Sequence, residues 1–203
     1  MTHSPSPADA HSALTTKVQA RAHGLAARKA ITPEQRAAMA DHCALEGVKI
    51  ARKALARTIA LYMPITTEVD CRLLLQALHY HEFKIALPCV VAPQRPLIFR
   101  SWTPRDALVA GAYDIPEPSQ RQPEVIPDLI FMPVVAFDRM GYRIGYGAGF
   151  YDRTLKALET IKPPLTIGLA YSSQEVSDTF AQDHDIRLDL ILTEHETISC
   201  TGF

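Results

Sequence analysis

No stretch of the chain reaches the ~18 apolar residues in a row that a bilayer-spanning helix needs. The most apolar segment, Leu129 to Phe137, is short and interrupted by Pro133. The opening residues, MTHSPSPADA, lack the apolar centre of a secretory signal. No membrane association is expected, and the cytoplasm is the expected compartment. Cysteine is scarce: Cys43, Cys71, Cys89 and Cys200 lie far apart, without a CxxC pair or a zinc-like Cys/His spacing. They read as free thiols. Surplus positive charge is missing as well, since 21 Lys and Arg face 22 Asp and Glu for a net charge of −1. No global field would draw in nucleic acid, so an anionic ligand has to be held by a local basic cluster. The phosphate pattern GxxxxGK[ST] does not occur. Nor is there an internal repeat, or an obvious Ser–His–Asp or Cys–His arrangement for covalent catalysis. His79 and His81 alternate near a predicted helix end, where simple exposure accounts for them.

What is present suits one folded unit. With 203 residues, 47% of them hydrophobic and 21% charged, the chain can bury a core without staples. Residues 1–12 are small, polar and Pro-containing and read as a disordered tail, leaving 13–203 as a single domain. A first helix is predicted from about Ala13 to Ala30. A second starts at Thr32-Pro33-Glu34-Gln35, where Thr32 can cap, Pro33 suits the first helical position and Gln35 can close a capping box; it runs to about Ala56. Strands are predicted at Thr58–Met63, Phe83–Leu87, Leu97–Trp102, Asp128–Phe137, Leu165–Ala170 and Leu188–Thr193. A helix opens at Thr67-Glu68 and reaches about Tyr80, and a short one starts at Thr103-Pro104. Residues 111–127, with four prolines, read as a long ordered loop. The alternation predicts an α/β fold, a largely parallel open sheet flanked by helices on both faces.

Four of the nine glycines fall between positions 141 and 149, after the most apolar strand and before a helix. In an open α/β sheet, ligands bind there, beyond a strand's carboxyl end and at a helix N-terminus. Glycines allow sharp turns and bring bare N–H groups close to phosphate oxygens. Gly145-x-Gly147-x-Gly149 is not the GxGxxG of dinucleotide folds. On composition alone, a phosphate cradle and a flexible surface hairpin are equally good readings. On the first helix, Lys17, Arg21 and Arg28 fall within about 40° of one another. Leu14, Val18 and Leu25 form the adjoining apolar stripe. Such a row is either a solvated basic face or a set of long side chains reaching into a cleft.

The full string over residues 137–153, Phe-Asp-x-x-Gly-x-Arg-Ile-Gly-Tyr-Gly-x-Gly-Phe-Tyr-Asp-Arg, shifts that balance towards the cradle through a resemblance. It resembles the hallmark of the 5-formyltetrahydrofolate cyclo-ligase (5,10-methenyltetrahydrofolate synthetase) family, approximately FDxxGxRLGYGGGYYDR. The departures are Ile144 for Leu, Ala148 for Gly and Phe150 for Tyr. The likeness extends through Tyr62-x-Pro64, Glu68-Val69-Asp70, Ile115-Pro116-Glu117-Pro118, Gln174 and His184-Asp185. A further departure is Asp114, where family members commonly carry Gly.

The resemblance implies an ATP- and Mg²⁺-dependent ligase. It would close 5-formyltetrahydrofolate to 5,10-methenyltetrahydrofolate through an N5-iminium phosphate, releasing ADP and phosphate. It implies ATP contacts from Lys17, Arg21, Arg143, Gly145, Tyr146, Gly147, Ala148, Gly149, Phe150 and Tyr151. Folate contacts are implied for Met63, Glu68, Tyr146 and Phe150, and Mg²⁺ ligation for Asp152 and Asp185. Tyr62 and Trp102 are candidate stacking residues, or plain core. A monomer is expected, with 5-formyltetrahydrofolate and ATP as partners and no nucleic acid. Two alternatives are a sugar-phosphate isomerase or transferase needing no ATP, and a non-catalytic paralogue that binds folate or nucleotide without releasing ADP.

Overall fold

The structure is a computed structural model that describes residues 14–202; the predicted tail, 1–12, lies outside them. Helix α1, Lys17–Ala30, begins after Thr16, whose hydroxyl accepts from the Gln19 amide. That bond satisfies one of the orphan donors of the first turn and places the start at Lys17, later than predicted. Helix α2, Pro33–Lys53, opens on the predicted capping box between Thr32 and Gln35. After it come β1 (Thr58–Ala60), α3 (Arg72–Tyr80), β2 (Lys84–Cys89), β3 (Ile98–Trp102), β4 (Leu108–Ala110) and β5 (Pro116–Pro118). The chain continues with β6 (Leu129–Pro133), β7 (Ala136–Phe137), β8 (Arg143–Ile144), α4 (Phe150–Glu159), β9 (Leu165–Leu169), β10 (Leu190–Leu192) and β11 (Thr197–Ser199).

Seven strands form the main sheet in the order β11-β10-β9-β6-β1-β2-β3. The central five pair in parallel, and the edges β3 and β11 are antiparallel. The largely parallel open sheet is therefore as predicted. Successive residues of β6 alternate between its faces. Leu129 and Phe131 join Leu74, Leu75 and Leu78 of α3 and Met39 of α2. Ile130 and Met132 join Leu155 and Leu158 of α4 on the other side. Both faces being covered, the buried strands read as continuous apolar runs. Among the described residues no helix is long and apolar enough to cross a membrane.

Several predicted elements are redrawn. The strand expected over Asp128–Phe137 is two strands. Pro133 brings no N–H to continue the ladder. The buried Gln174 amide donates to the Val134 and Val135 carbonyls at 2.8 and 2.7 Å, drawing the chain out of the main sheet. β7 then pairs with β8 in a separate antiparallel ribbon. No helix opens at Thr67-Glu68, because the Glu68 carboxylate turns back onto the Ile65 amide and α3 waits until Arg72. Thr103-Pro104 is a turn closed by Asp106, which accepts from the Thr103 amide and hydroxyl. The loop expected at 111–127 holds β5, paired to β4.

The buried line of α1 is also different from prediction. It runs through Ala20, Gly24 and Arg28, whereas Val18 is exposed. The reason is close approach: a Cβ on Gly24 would sit 2.0 Å from the Val135 carbonyl oxygen. At that turn the helix rests on backbone.

Candidate active site

The chain leaves the β7–β8 ribbon through residues 145–149 and enters α4. Gly147 (φ 102°) and Gly149 (φ 67°), the latter the N-cap of α4, take left-handed conformations that side chains rarely adopt. A Cβ on Gly145 would meet nothing within 4 Å, so this part of the loop faces open space. Ala148 does not need a left-handed φ, which makes that departure conformationally harmless. Its carbonyl accepts from Arg153 Nη2 at 2.7 Å. The Arg153 guanidinium carbon lies 5.3 Å from the Phe150 ring centroid, and the edge of Tyr113 meets the same ring with centroids 6.1 Å apart.

The loop borders a cleft of about 1230 Å³, which collects Lys17, Arg21, Met63, Glu68, Arg143, the run Gly145–Asp152, and Asp185. Every residue assigned a binding role from the sequence lies on its wall. Arg21 Nε donates to the Gly145 carbonyl at 2.9 Å, tying α1 to the loop. Lys17 Nζ lies 2.5 Å from Asp185 Oδ2. Burial would lift the Asp185 carboxyl, but Lys17 and the Gln182 amide outweigh it and hold the group below the usual carboxylate range. Arg143 is nearly enclosed and committed, with one arm on Asp152 Oδ1 at 2.9 Å and the other on the Ile186 carbonyl at 2.7 Å. Asp152 Oδ1 lies 3.4 Å from the Ile186 amide, so the two predicted metal ligands stand on neighbouring segments.

The opposite wall is apolar. Met63 follows the end of β1, and the neighbouring Tyr62 is buried with its hydroxyl donating to the Val69 carbonyl at 3.0 Å. Within this wall sits Glu68, 6% exposed. Burial lifts its pKa to about 7, against the opposing pull of the Ile65 amide and the Arg28 charge. Trp102 is not part of the cleft; it packs on the core and donates to the Asp106 carbonyl.

Three residues gain a place that the sequence did not assign. Arg28, on the same helical row as Lys17 and Arg21, is 1% exposed and reaches inward. Tyr113 lines the cleft from a left-handed backbone, beside Asp114 with φ 57°. Gln174 fixes the break between β6 and β7. The row on α1 hinted at Arg28, and the family likeness included Gln174 without giving it a role; no pattern pointed to Tyr113. The assembled cleft can hold a polyanion against cations and bare amides. Beside it lies an apolar slot for a flat ring, ending in one acceptor.

Residues 13–194 match the 5-formyltetrahydrofolate cyclo-ligase family. The 5-formyltetrahydrofolate cyclo-ligase of Escherichia coli K12 is 32% identical over 172 residues, covering 82% of this chain and 93% of the relative. That of Haemophilus influenzae is 35% identical over 143 residues, 68% of this chain and 75% of the relative. Among solved structures, the 5,10-methenyltetrahydrofolate synthetase of Aquifex aeolicus superposes with a TM-score of 0.78 at 29% identity, covering 93% of this chain and 95% of that one. The Mycoplasma pneumoniae synthetase gives 0.70 at 26% identity, covering 92% and 99%. These matches leave the sugar-phosphate isomerase alternative without support. Motif, fold and cleft agree with them: the chain belongs to the 5-formyltetrahydrofolate cyclo-ligase family.

Proposed function

We propose that the protein converts 5-formyltetrahydrofolate and ATP into 5,10-methenyltetrahydrofolate, ADP and phosphate. The observation that carries this reading is the single cleft with a cationic, amide-rich wall facing an apolar wall that ends in Glu68. A formyl oxygen is a poor leaving group until it is phosphorylated. The formyl oxygen on N5 attacks the γ-phosphorus, and the bond from that phosphorus to ADP breaks. N10 of the resulting N5-iminium phosphate adds to the formyl carbon and gives up its proton. The carbon–oxygen bond then breaks and phosphate departs.

Such a transfer asks the protein mainly for positioning and charge neutralisation. Lys17, Arg21 and the loop amides would face the triphosphate, with Phe150 and Tyr151 closing the loop's far end. Glu68 would accept N–H groups of the pterin, between Met63, Tyr146 and Phe150. Arg143, turned to Asp152, would act by orienting that carboxylate. Magnesium favours a few carboxylates together with waters and phosphate oxygens. Asp152 and Asp185 fit that demand, because they stand close together beside the phosphate wall and Asp152 Oδ2 makes no hydrogen bond among the described residues. They would hold the ion, which when bound neutralises charge on the triphosphate.

On this reading, residues 13–203 form a single domain that acts as a monomer. The free thiols Cys43, Cys71, Cys89 and Cys200 suit the cytoplasm. The test is to mix the protein with 5-formyltetrahydrofolate and Mg-ATP, following the near-ultraviolet methenyl chromophore and ADP. Product is expected only with ATP, with one ADP per product. Product without ATP, or ligand binding without turnover, would sink the proposal.

A further inference from the structure

Arg28 lines neither wall of the cleft, yet it is the bulkiest fully buried side chain among the described residues. Burying a guanidinium is costly unless its N–H groups are met. Its planar fork, unlike a lysine ammonium, can serve groups on several segments at fixed angles. Arg28 Nε donates to Thr67 Oγ1 at 3.0 Å, and Nη2 donates to the Tyr146 hydroxyl. A third, longer contact of 3.5 Å runs from Nη1 to the Val134 carbonyl. The guanidinium carbon also lies 5.4 Å from the Tyr146 ring centroid.

The two principal partners belong to opposite walls. Tyr146 stands between Gly145 and Gly147 in the phosphate loop, and Thr67 immediately precedes Glu68. Arg36 braces the arrangement from behind, donating to the Thr67 carbonyl at 3.0 Å and the Arg28 carbonyl at 2.7 Å. Thr66, in a left-handed conformation with φ 50°, brings its own hydroxyl to 3.5 Å from the Tyr146 hydroxyl. Both substrates would therefore order segments that share one side chain.

Resting on the ATP-and-folate reading above, we infer that Arg28 is a positioning residue that couples the two substrates, so that binding of either favours the other. When nucleotide orders the loop, Tyr146 fixes one arm of the fork. The other arm then holds Thr67, and with it the turn that aims Glu68. The cost of ordering the shared segments falls on whichever ligand binds first, and the second binds more tightly. A lysine at this position would keep the charge near Glu68 but could not span both hydroxyls.

The test measures the dissociation constant of 5-formyltetrahydrofolate calorimetrically, with and without the magnesium complex of β,γ-imido ATP. In the unaltered protein the analogue is expected to tighten folate binding roughly tenfold. In Arg28→Lys and in Thr67→Val, which removes the acceptor with little change of shape, the tightening should fall to about twofold or less. Thr67→Val should still bind the analogue alone about as well as the unaltered protein. It also carries the test if Arg28→Lys does not fold. No tightening in the unaltered protein, or full tightening in a folded variant, overturns the inference. If the unaltered protein binds neither ligand, the cyclo-ligase reading falls and the inference with it.

Discussion

The two ends of β6 treat carboxylates in opposite ways. At the amino end, Asp128 is saturated: Oδ2 accepts the Arg57 and Thr58 amides at 2.8 and 2.7 Å, and Oδ1 pairs with Lys162. Beyond the carboxyl end, Glu68 is more deeply buried but, among the described residues, has the Ile65 amide as its one hydrogen-bond donor. Asp152 likewise has an oxygen to spare. A saturated carboxylate sets strand register and has nothing left to offer. An undersatisfied one in a buried setting is costly to the apo protein and keeps acceptor capacity for a ligand. Depth of burial does not separate structural acid from functional acid here; the number of donors already committed does.

The sharpest way to break this contrast is to alter one acid at each end. Asp152→Asn keeps an oxygen for Arg143 and removes the charge a metal needs. Turnover in the methenyl assay should fall on the order of 100-fold, with little change in thermal midpoint. Asp128→Ala strands two backbone amides and a lysine. It should cost about 2–3 kcal/mol of stability, roughly 5–10 °C in melting midpoint for a chain of this size, while the folded fraction keeps its turnover. The reverse pattern would undo the distinction.

Glu68 allows a finer test, because its protonation pulls stability and binding in opposite directions. With a pKa lifted by burial to about 7, the carboxylate able to accept pterin N–H groups accumulates only as pH rises through that value. The pH profile of kcat/KM for 5-formyltetrahydrofolate should climb about tenfold per unit below pH 7 and then level off. Glu68→Gln should flatten that limb. Stability runs the other way. A carboxyl whose folded pKa is raised favours the fold below about pH 4.5, and that advantage is lost as pH rises through 7, by up to roughly 3 kcal/mol. Apo melting midpoints that respond to Glu68→Gln only on the acid side of pH 4.5 would remove Glu68 from this account.

The smallest effect belongs to Asp114. It holds φ 57° in the turn between β4 and β5, where a glycine carries no Cβ penalty. Asp114→Gly should gain no more than about 1 kcal/mol, seen as a rise of a few degrees in melting midpoint, with turnover unchanged. A loss of stability would show that the side chain, not the backbone, is what this turn needs.

Much of this could be read in the sequence because it is local. The Thr32–Gln35 cap, the apolar strands and the glycine run each declare themselves within a few residues. The long motif assigned the loop, and helical spacing put Lys17 and Arg21 together. The unread parts depend on distant partners. The apolar run from Leu129 to Phe137 carries one local mark, Pro133; what completes its break is Gln174, far along the chain. Nothing in the sequence set Arg28 apart from Lys17 and Arg21 on the row, and its burial depends on hydroxyls at Thr67 and Tyr146. Val18 faces outward because the buried line of α1 runs through Ala20, Gly24 and Arg28, with Gly24 set against the Val135 backbone, and periodicity alone does not reveal what a helix will lie against.

That contact has a mechanical corollary. At Gly24 an added Cβ would sit 2.0 Å from the Val135 carbonyl oxygen, so the standoff between α1 and the strand exit is set by a missing methyl group. Lys17 and Arg21 extend from that same helix. A heavier residue at position 24 would act as a shim, tilting both grips away from the loop while leaving every ligand-touching side chain chemically intact.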